Sequence, residues 1–116
     1  MAVLPVQTMV LNGSIDDLVY TAVDAGLTDT LKNDGKTIAI VKNADAAPHT
    51  VTPTVQQSTG NMQQDAGAAR TITNAKETVL GPWERKVFND ASGDVSLVFD
   101  SNTSMTVAVL SLSSIG

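Results

Sequence analysis

A chain of 116 residues with a net charge of −5 and no cysteine is long enough to bury one hydrophobic core without cross-links. Its seven basic residues, Lys32, Lys36, Lys42, Arg70, Lys76, Arg85 and Lys86, are scattered along an acidic chain, which argues against nucleic acid as a partner and leaves no thiolate chemistry to consider. Hydrophobic residues make up 42% but charged residues only 16%, so Thr, Ser, Asn and Gln must cover the surface, a coverage that suits half-buried strands.

The segment MAVLPVQTMVL lacks the charged n-region and small-residue cleavage site of a secretory signal. No apolar run approaches the ~20 residues that a bilayer-spanning helix needs. The expectation is a soluble protein retained where it is translated, with no membrane partner.

Residues 1–13 read as an extended N-terminal arm, and residues 14–116 as one β domain. Pro5 breaks any helix in the arm, and Asn12-Gly13 marks a turn. Val3, Leu4, Val6, Met9, Val10 and Leu11 follow no clean period, so two readings stand: an edge strand packed on its own domain, or an arm that docks on a neighbour. Ser14-Ile15-Asp16-Asp17 resembles a helix-capping start, but Val19, Tyr20, Thr21 and Val23 favour a strand over Leu18–Val23. Gly26–Asp34 reads as a polar connection ending in Asn33-Asp34-Gly35, a hairpin signal because these residues tolerate positive φ.

Thr37–Lys42 carries Ile38 and Ile40 on one face and Ala39 and Val41 on the other, the pattern of a strand in mid-sheet. His49–Val55 alternates Val with Thr, and Pro53 confines it to an edge or a bulge. Gln56–Ala69 has almost no large apolar side chain and reads as an exposed excursion. Five more β runs follow: Arg70–Thr73, Thr78–Leu80, Arg85–Phe88, Val95–Phe99 and Ser104–Leu112. Turn signals at Asn74-Ala75, Gly81-Pro82, Asn89–Gly93 and Ser101-Asn102 separate them. Closely spaced short strands predict an all-β fold, an antiparallel β-sandwich or jelly-roll-like domain. In the last two strands Val95, Leu97 and Phe99 share a face, as do Met105, Val107 and Val109. Leu110 and Leu112 fall on the opposite face, where water is expected in an isolated domain, and they point to a second buried surface between subunits.

Reactive chemistry has little to build on. His49 is the single histidine, no HExxH or G-x-S-x-G pattern accompanies it, and it reads as structural or merely exposed; no enzyme activity and no catalytic residue is expected. Asp16, Asp17, Asp24, Asp29 and Asp34 gather in the first third, and NDASGD spans Asn89–Asp94. Neither has the spacing of a calcium loop, and turn formation with solubility explains both, so no metal or other cofactor is assigned. Trp83 reads as an anchor covering one end of the core rather than as a sugar platform.

Taken together, NDGKTIAIVKN, HTVT, ETVLGPW, FNDASGDVSLVF and MTVAVLSL resemble the small auxiliary head proteins of tailed phages, the decoration or cement proteins. The resemblance spans about Leu18 to Leu112 and rests on generic β motifs. It implies a β-sandwich or jelly-roll-like fold, no enzyme activity, self-association, and binding across capsomer boundaries of the major capsid protein on the outer surface of the virion, after synthesis in the host cytoplasm. It carries over no contact residue. The residues themselves nominate Val3, Leu4, Val6, Met9, Val10, Leu11, Leu110 and Leu112 for capsid or inter-protomer contact. A homotrimer on local three-fold sites is the first expectation, with a homodimer on two-fold sites the alternative. A glycan- or receptor-binding head or tail protein, or a head-to-tail joint, are the competing functions.

Overall fold

The computed structural model describes residues 2–9, 14, 18–56 and 69–112. Val10, Leu11, the Asn12-Gly13 turn, Asp16, Asp17 and residues 57–68 of the polar excursion lie outside the described residues.

Two sheets pack face to face. The first has the order β1 (Ala2–Val3), β4 (Thr28–Lys32), β9 (Asp94–Phe99), β6 (His49–Pro53) and β7 (Arg70–Ile72). The second has the order β2 (Val6–Met9), β10 (Met105–Leu112), β5 (Thr37–Asn43) and β8 (Lys76–Leu80), with the short β3 (Thr21–Ala22) also paired to β10. The fold is thus the expected all-β sandwich. Its pairings are antiparallel except for β1 on β4 and β2 on β10, which are parallel. Alternation turns Leu31, Val51, Val95 and Leu97 of the first sheet onto Ala39, Val41, Val107 and Val109 of the second, and all eight are at most 1% exposed.

The described N-terminal residues pack on their own domain. Ala2 and Val3 pair with Asp29 and Thr30, Leu4 N–H donates to the Thr30 carbonyl at 2.7 Å, and Val6–Met9 then runs beside Val109–Leu112 in the other sheet. Pro5 lies at the crossing between sheets, and Leu4 before it is 2% exposed in the core.

Several local expectations are corrected. Gly26–Asp34 is not a plain connection, because Thr28–Lys32 forms a strand between β1 and β9. Its single apolar residue, Leu31, hid it, as did Asp29, which faces inward and is fully buried. The Asn33-Asp34-Gly35 turn makes no hairpin, since β4 and β5 belong to different sheets. Its side chains still bend the chain: Asn33 Oδ1 accepts from Gly35 N–H at 3.0 Å, Asp34 Oδ1 from Lys36 N–H at 2.8 Å, and Gly35 has φ +89°. β6 lies between β9 and β7 rather than at an edge. Pro53 is its last residue, where a missing N–H costs least, and Thr54 N–H resumes the pairing at the Ser96 carbonyl.

Arg85–Phe88 is a single turn of helix, α1, not a strand. Val87 and Phe88 are both buried, and two consecutive residues can point into a core from a helical turn but not from an alternating strand. Leu18–Val23 yields only the two residues of β3.

Candidate functional site

The outer face of the second sheet carries the candidate contact surface. β5 sends Thr37, Ala39, Val41 and Asn43 inward, so Ile38, Ile40 and Lys42 stand outward. In the β5–β10 register Ile38 opposes Leu110, Ile40 opposes Ala108 and Lys42 opposes Thr106. On the flanks, Val79 of β8 opposes Ile40, and Gln7 and Met9 of β2 oppose Leu110 and Leu112. Apolar side chains from four neighbouring strands thus form one continuous field. Ile38, Ile40, Leu110 and Met9 are half-buried and the outward Ala108 is 1% exposed, whereas Val79 is 59% and Leu112 45% exposed. A contiguous apolar patch on the outer face of a sheet marks an interaction surface.

Polar groups frame the patch. Lys42 Nζ lies 4.1 Å from the centre of the Tyr20 ring, a cation–π contact that holds the ammonium at one end of β5. Gln7 grips the backbone of Val19 with both ends of its amide, each at 2.9 Å, and so ties the chain before Tyr20 to the edge strand. An open cleft of about 550 Å³ lies beyond Lys42, lined by Asn43, Ala44, Ala75, Lys76 and Glu77.

The nominated residues divide clearly. Met9, Leu110 and Leu112 meet on this face. Val3 is 74% exposed but lies on the other sheet, and Leu4 and Val6 belong to the core and its margin, so Leu4 has no surface left for a partner. Val10 and Leu11 lie outside the described residues. Sequence reading did not nominate Ile38, Ile40, Val79, Lys42 or Tyr20. The available signal was that β5 places its larger side chains opposite its smaller Ala39 and Val41; the smaller pair fills the core.

Other conspicuous residues serve the fold. His49 spans two carboxylates at the far end of the first sheet: Nε2 is 2.7 Å from Asp45 Oδ2, and Nδ1 is 3.5 Å from Asp100 Oδ1. The Asp45 hydrogen bond, more than the field of Asp100, raises the His49 pKa, and the same bond lowers that of Asp45. With a carboxylate at each ring nitrogen, the imidazole is held as a clasp rather than poised as a base.

The acidic turns cap themselves. Asp90 Oδ1 accepts from Ser92 and Asp94 N–H at 2.8 and 3.0 Å, and Asp24 Oδ2 accepts from Gly26 N–H at 3.1 Å. Among the described residues no group of three or more His, Cys, Asp or Glu is arranged to hold a metal ion.

Trp83 is 4% exposed and closes the core beside α1, as an anchor should. Phe88 and Phe99 are equally buried, so Tyr20 is the one aromatic ring that reaches the surface.

Compared with family models, with curated proteins and with solved structures, the chain matches none. No helix among the described residues is long and apolar enough to cross a membrane.

Proposed function

We propose that this protein is a decoration or cement protein of a tailed-phage head, a rigid body that adheres to the outer surface of the capsid across capsomer boundaries. The observation that carries the reading is the apolar outer face of the second sheet, four strands wide, on a chain whose other sheet sets Val98 among Thr28, Thr50, Thr52 and Ser96. The resemblance of its strand and turn sequences to auxiliary head proteins supplies the lattice as the partner.

Adhesion needs no reaction. A face of this kind supplies part of a standard interface, on the order of 800 Å² per partner. Several such contacts linked through one oligomer hold the protein in place when any single contact opens. If the expanded shell presents the binding surface and the immature shell does not, the protein favours the expanded state by that difference in affinity.

Because three of the four aromatic rings are buried, a stacked sugar platform is poorly supported as the competing function. Copy number tests the proposal. Quantitative mass spectrometry of purified particles, with a map of the particle, is expected to show hundreds of copies spread over the outer shell. A few copies at one vertex would make the protein a head-to-tail joint, and absence from mature particles would reject a virion role.

A further inference from the structure

The Asn33-Asp34-Gly35 turn makes no hairpin, yet it joins the two sheets and carries the sequence's one Asp-Gly pair. An aspartate followed by glycine is open to self-modification, because the glycine has no side chain to hinder attack by its own nitrogen on the aspartate Cγ. In that reaction the Gly35 nitrogen bonds to Asp34 Cγ, and one carboxyl oxygen leaves as water with the carboxyl proton and the amide proton. Water then adds to the Asp34 main-chain carbonyl carbon of the succinimide ring and breaks its bond to the Gly35 nitrogen. The product is isoaspartate, of unchanged mass, with the main chain running through Cγ.

In the fold both reacting groups are held by other partners. Gly35 N–H donates to Asn33 Oδ1 at 3.0 Å. That acceptor is itself fixed, since Asn33 is buried and its Nδ2 donates to the Trp83 carbonyl and to Asn89 Oδ1. Asp34 Oδ1 accepts from Lys36 N–H at 2.8 Å and from the Thr37 hydroxyl at 3.0 Å, and Oδ2 accepts from the Ser111 hydroxyl at 2.9 Å. Thr37 and Ser111 are both buried, and they face each other in the β5–β10 register. Asn33, Lys36 and Thr37 belong to the turn and its flank, whereas Ser111 lies 77 residues beyond Asp34 and couples the turn to the packing of the last strand.

Hydrogen bonds to the ionised carboxyl oppose the reaction, because the group must gain a proton before its oxygen can leave as water. The Lys36 N–H, followed by the Ser111 and Thr37 hydroxyls, holds the Asp34 carboxyl below its ordinary 3.8. We propose that Asp34-Gly35 is a site of isoaspartate formation that the folded chain keeps closed, Asn33 holding the nucleophile and Ser111 of β10 holding the leaving group. The site opens when the end of β10 parts from Thr37. The modified chain has one more main-chain carbon between β4 and β5, and its turn no longer matches the Lys36, Thr37 and Ser111 donors. Capsid binding is not required for any of these steps.

The test is ageing of the full chain at neutral pH, with isoaspartate read by methyltransferase labelling and located by peptide mapping. Asn12-Gly13 can give the same linkage, but with a change of mass because its amide is lost as ammonia, so the two positions are told apart. The samples are folded wild type, wild type unfolded in guanidinium, Ser111→Ala, Thr37→Val, and Val51→Ala, a core substitution in the first sheet away from the turn. Circular dichroism establishes which variants are folded, and the two hydroxyl deletions carry the same expectation, so either suffices. Residue 34 is expected to convert at least about tenfold faster in unfolded than in folded wild type, and about three- to tenfold faster in a folded hydroxyl variant. Val51→Ala is expected to stay near the rate of folded wild type. Equal rates in folded and unfolded wild type would overturn the proposal. So would folded Ser111→Ala and Thr37→Val that age no faster than wild type, or no faster than Val51→Ala, because global unfolding and not the turn would then set the rate.

Discussion

Leu110 of β10 stands directly opposite Ile38 of β5 on the side of the second sheet that faces away from the core. Neither side chain is needed to fill the sandwich, whose interior is supplied from the same two strands by Val41, Val107 and Val109. Replacing Leu110 or Leu112 by Thr is therefore expected to change unfolding free energy by about 0.5–1 kcal/mol at most. Leu31→Ala, by contrast, removes a side chain with 0% exposure and is expected to cost about 2–5 kcal/mol. Urea unfolding of the three variants checks the contrast; comparable losses would mean that the outer residues belong to the core.

Leu4 gives the second prediction. Because it is buried at the crossing between the sheets, Leu4→Ala is expected to cost about 2–5 kcal/mol, as for any large core residue. Val3→Ala, one position earlier and 74% exposed, is expected to cost less than about 0.5 kcal/mol. Thermal melts of the two variants separate a packed N-terminal segment from a free one. Deleting that segment would damage the fold, so its role in binding is better probed by point substitution at Met9.

The sequence made the last two strands legible because their apolar residues alternate without interruption, as Val95, Leu97, Phe99 and Met105, Val107, Val109 show. β4 was hidden because Asp29 occupies an inward position and leaves Leu31 as the only apolar marker. α1 was misread because Val87-Phe88 is β-prone in isolation, and only the packing of both side chains into one end of the core selects the helical turn. The candidate face was half legible. Leu110 and Leu112 betrayed it by breaking the alternation of their own strand. Ile38 and Ile40 looked like a second core face until register set them beside Leu110. Val79 could not be placed without knowing that β8 is the neighbour of β5.

A pH dependence follows from the His49 clasp. The folded-state pKa of His49 lies above its ordinary value of 6.5, chiefly through the Asp45 hydrogen bond, so the stability it contributes is fully present below about pH 6.5 and is lost as pH rises through the folded value. Asp45 is lowered from 3.8 by the same bond, and its contribution is lost only as pH falls through that depressed value. Stability of wild type should therefore decline, relative to His49→Gln, which has no proton to lose, as pH rises above about 6.5. Parallel stability curves for the two proteins across that range would show that the clasp contributes nothing.

At the opposite end of the sandwich, Asn33 ties three segments together. Its Nδ2 donates to the Trp83 carbonyl at 3.1 Å and to Asn89 Oδ1 at 2.7 Å, while Asn89 Nδ2 donates back to the Asn33 carbonyl. Asn33→Ala is expected to cost about 1–3 kcal/mol because the buried groups it served lose their partner. Gly81→Ala should also be clearly destabilising: a Cβ there would sit 2.8 Å from the Thr37 carbonyl, at φ +95°. Denaturation midpoints of both variants test the prediction, and wild-type values would contradict it.

The most direct measurement is occupancy of undecorated heads as a function of protein concentration, for wild type and for a folded Ile40→Lys/Leu110→Lys variant. Wild type should saturate at hundreds of copies per particle, and the variant should leave the shells bare at the same concentrations. Equal occupancy by both proteins, or bare shells with wild type, would contradict the claim that this sandwich acts by adhering to a capsid lattice through the outer face of its second sheet.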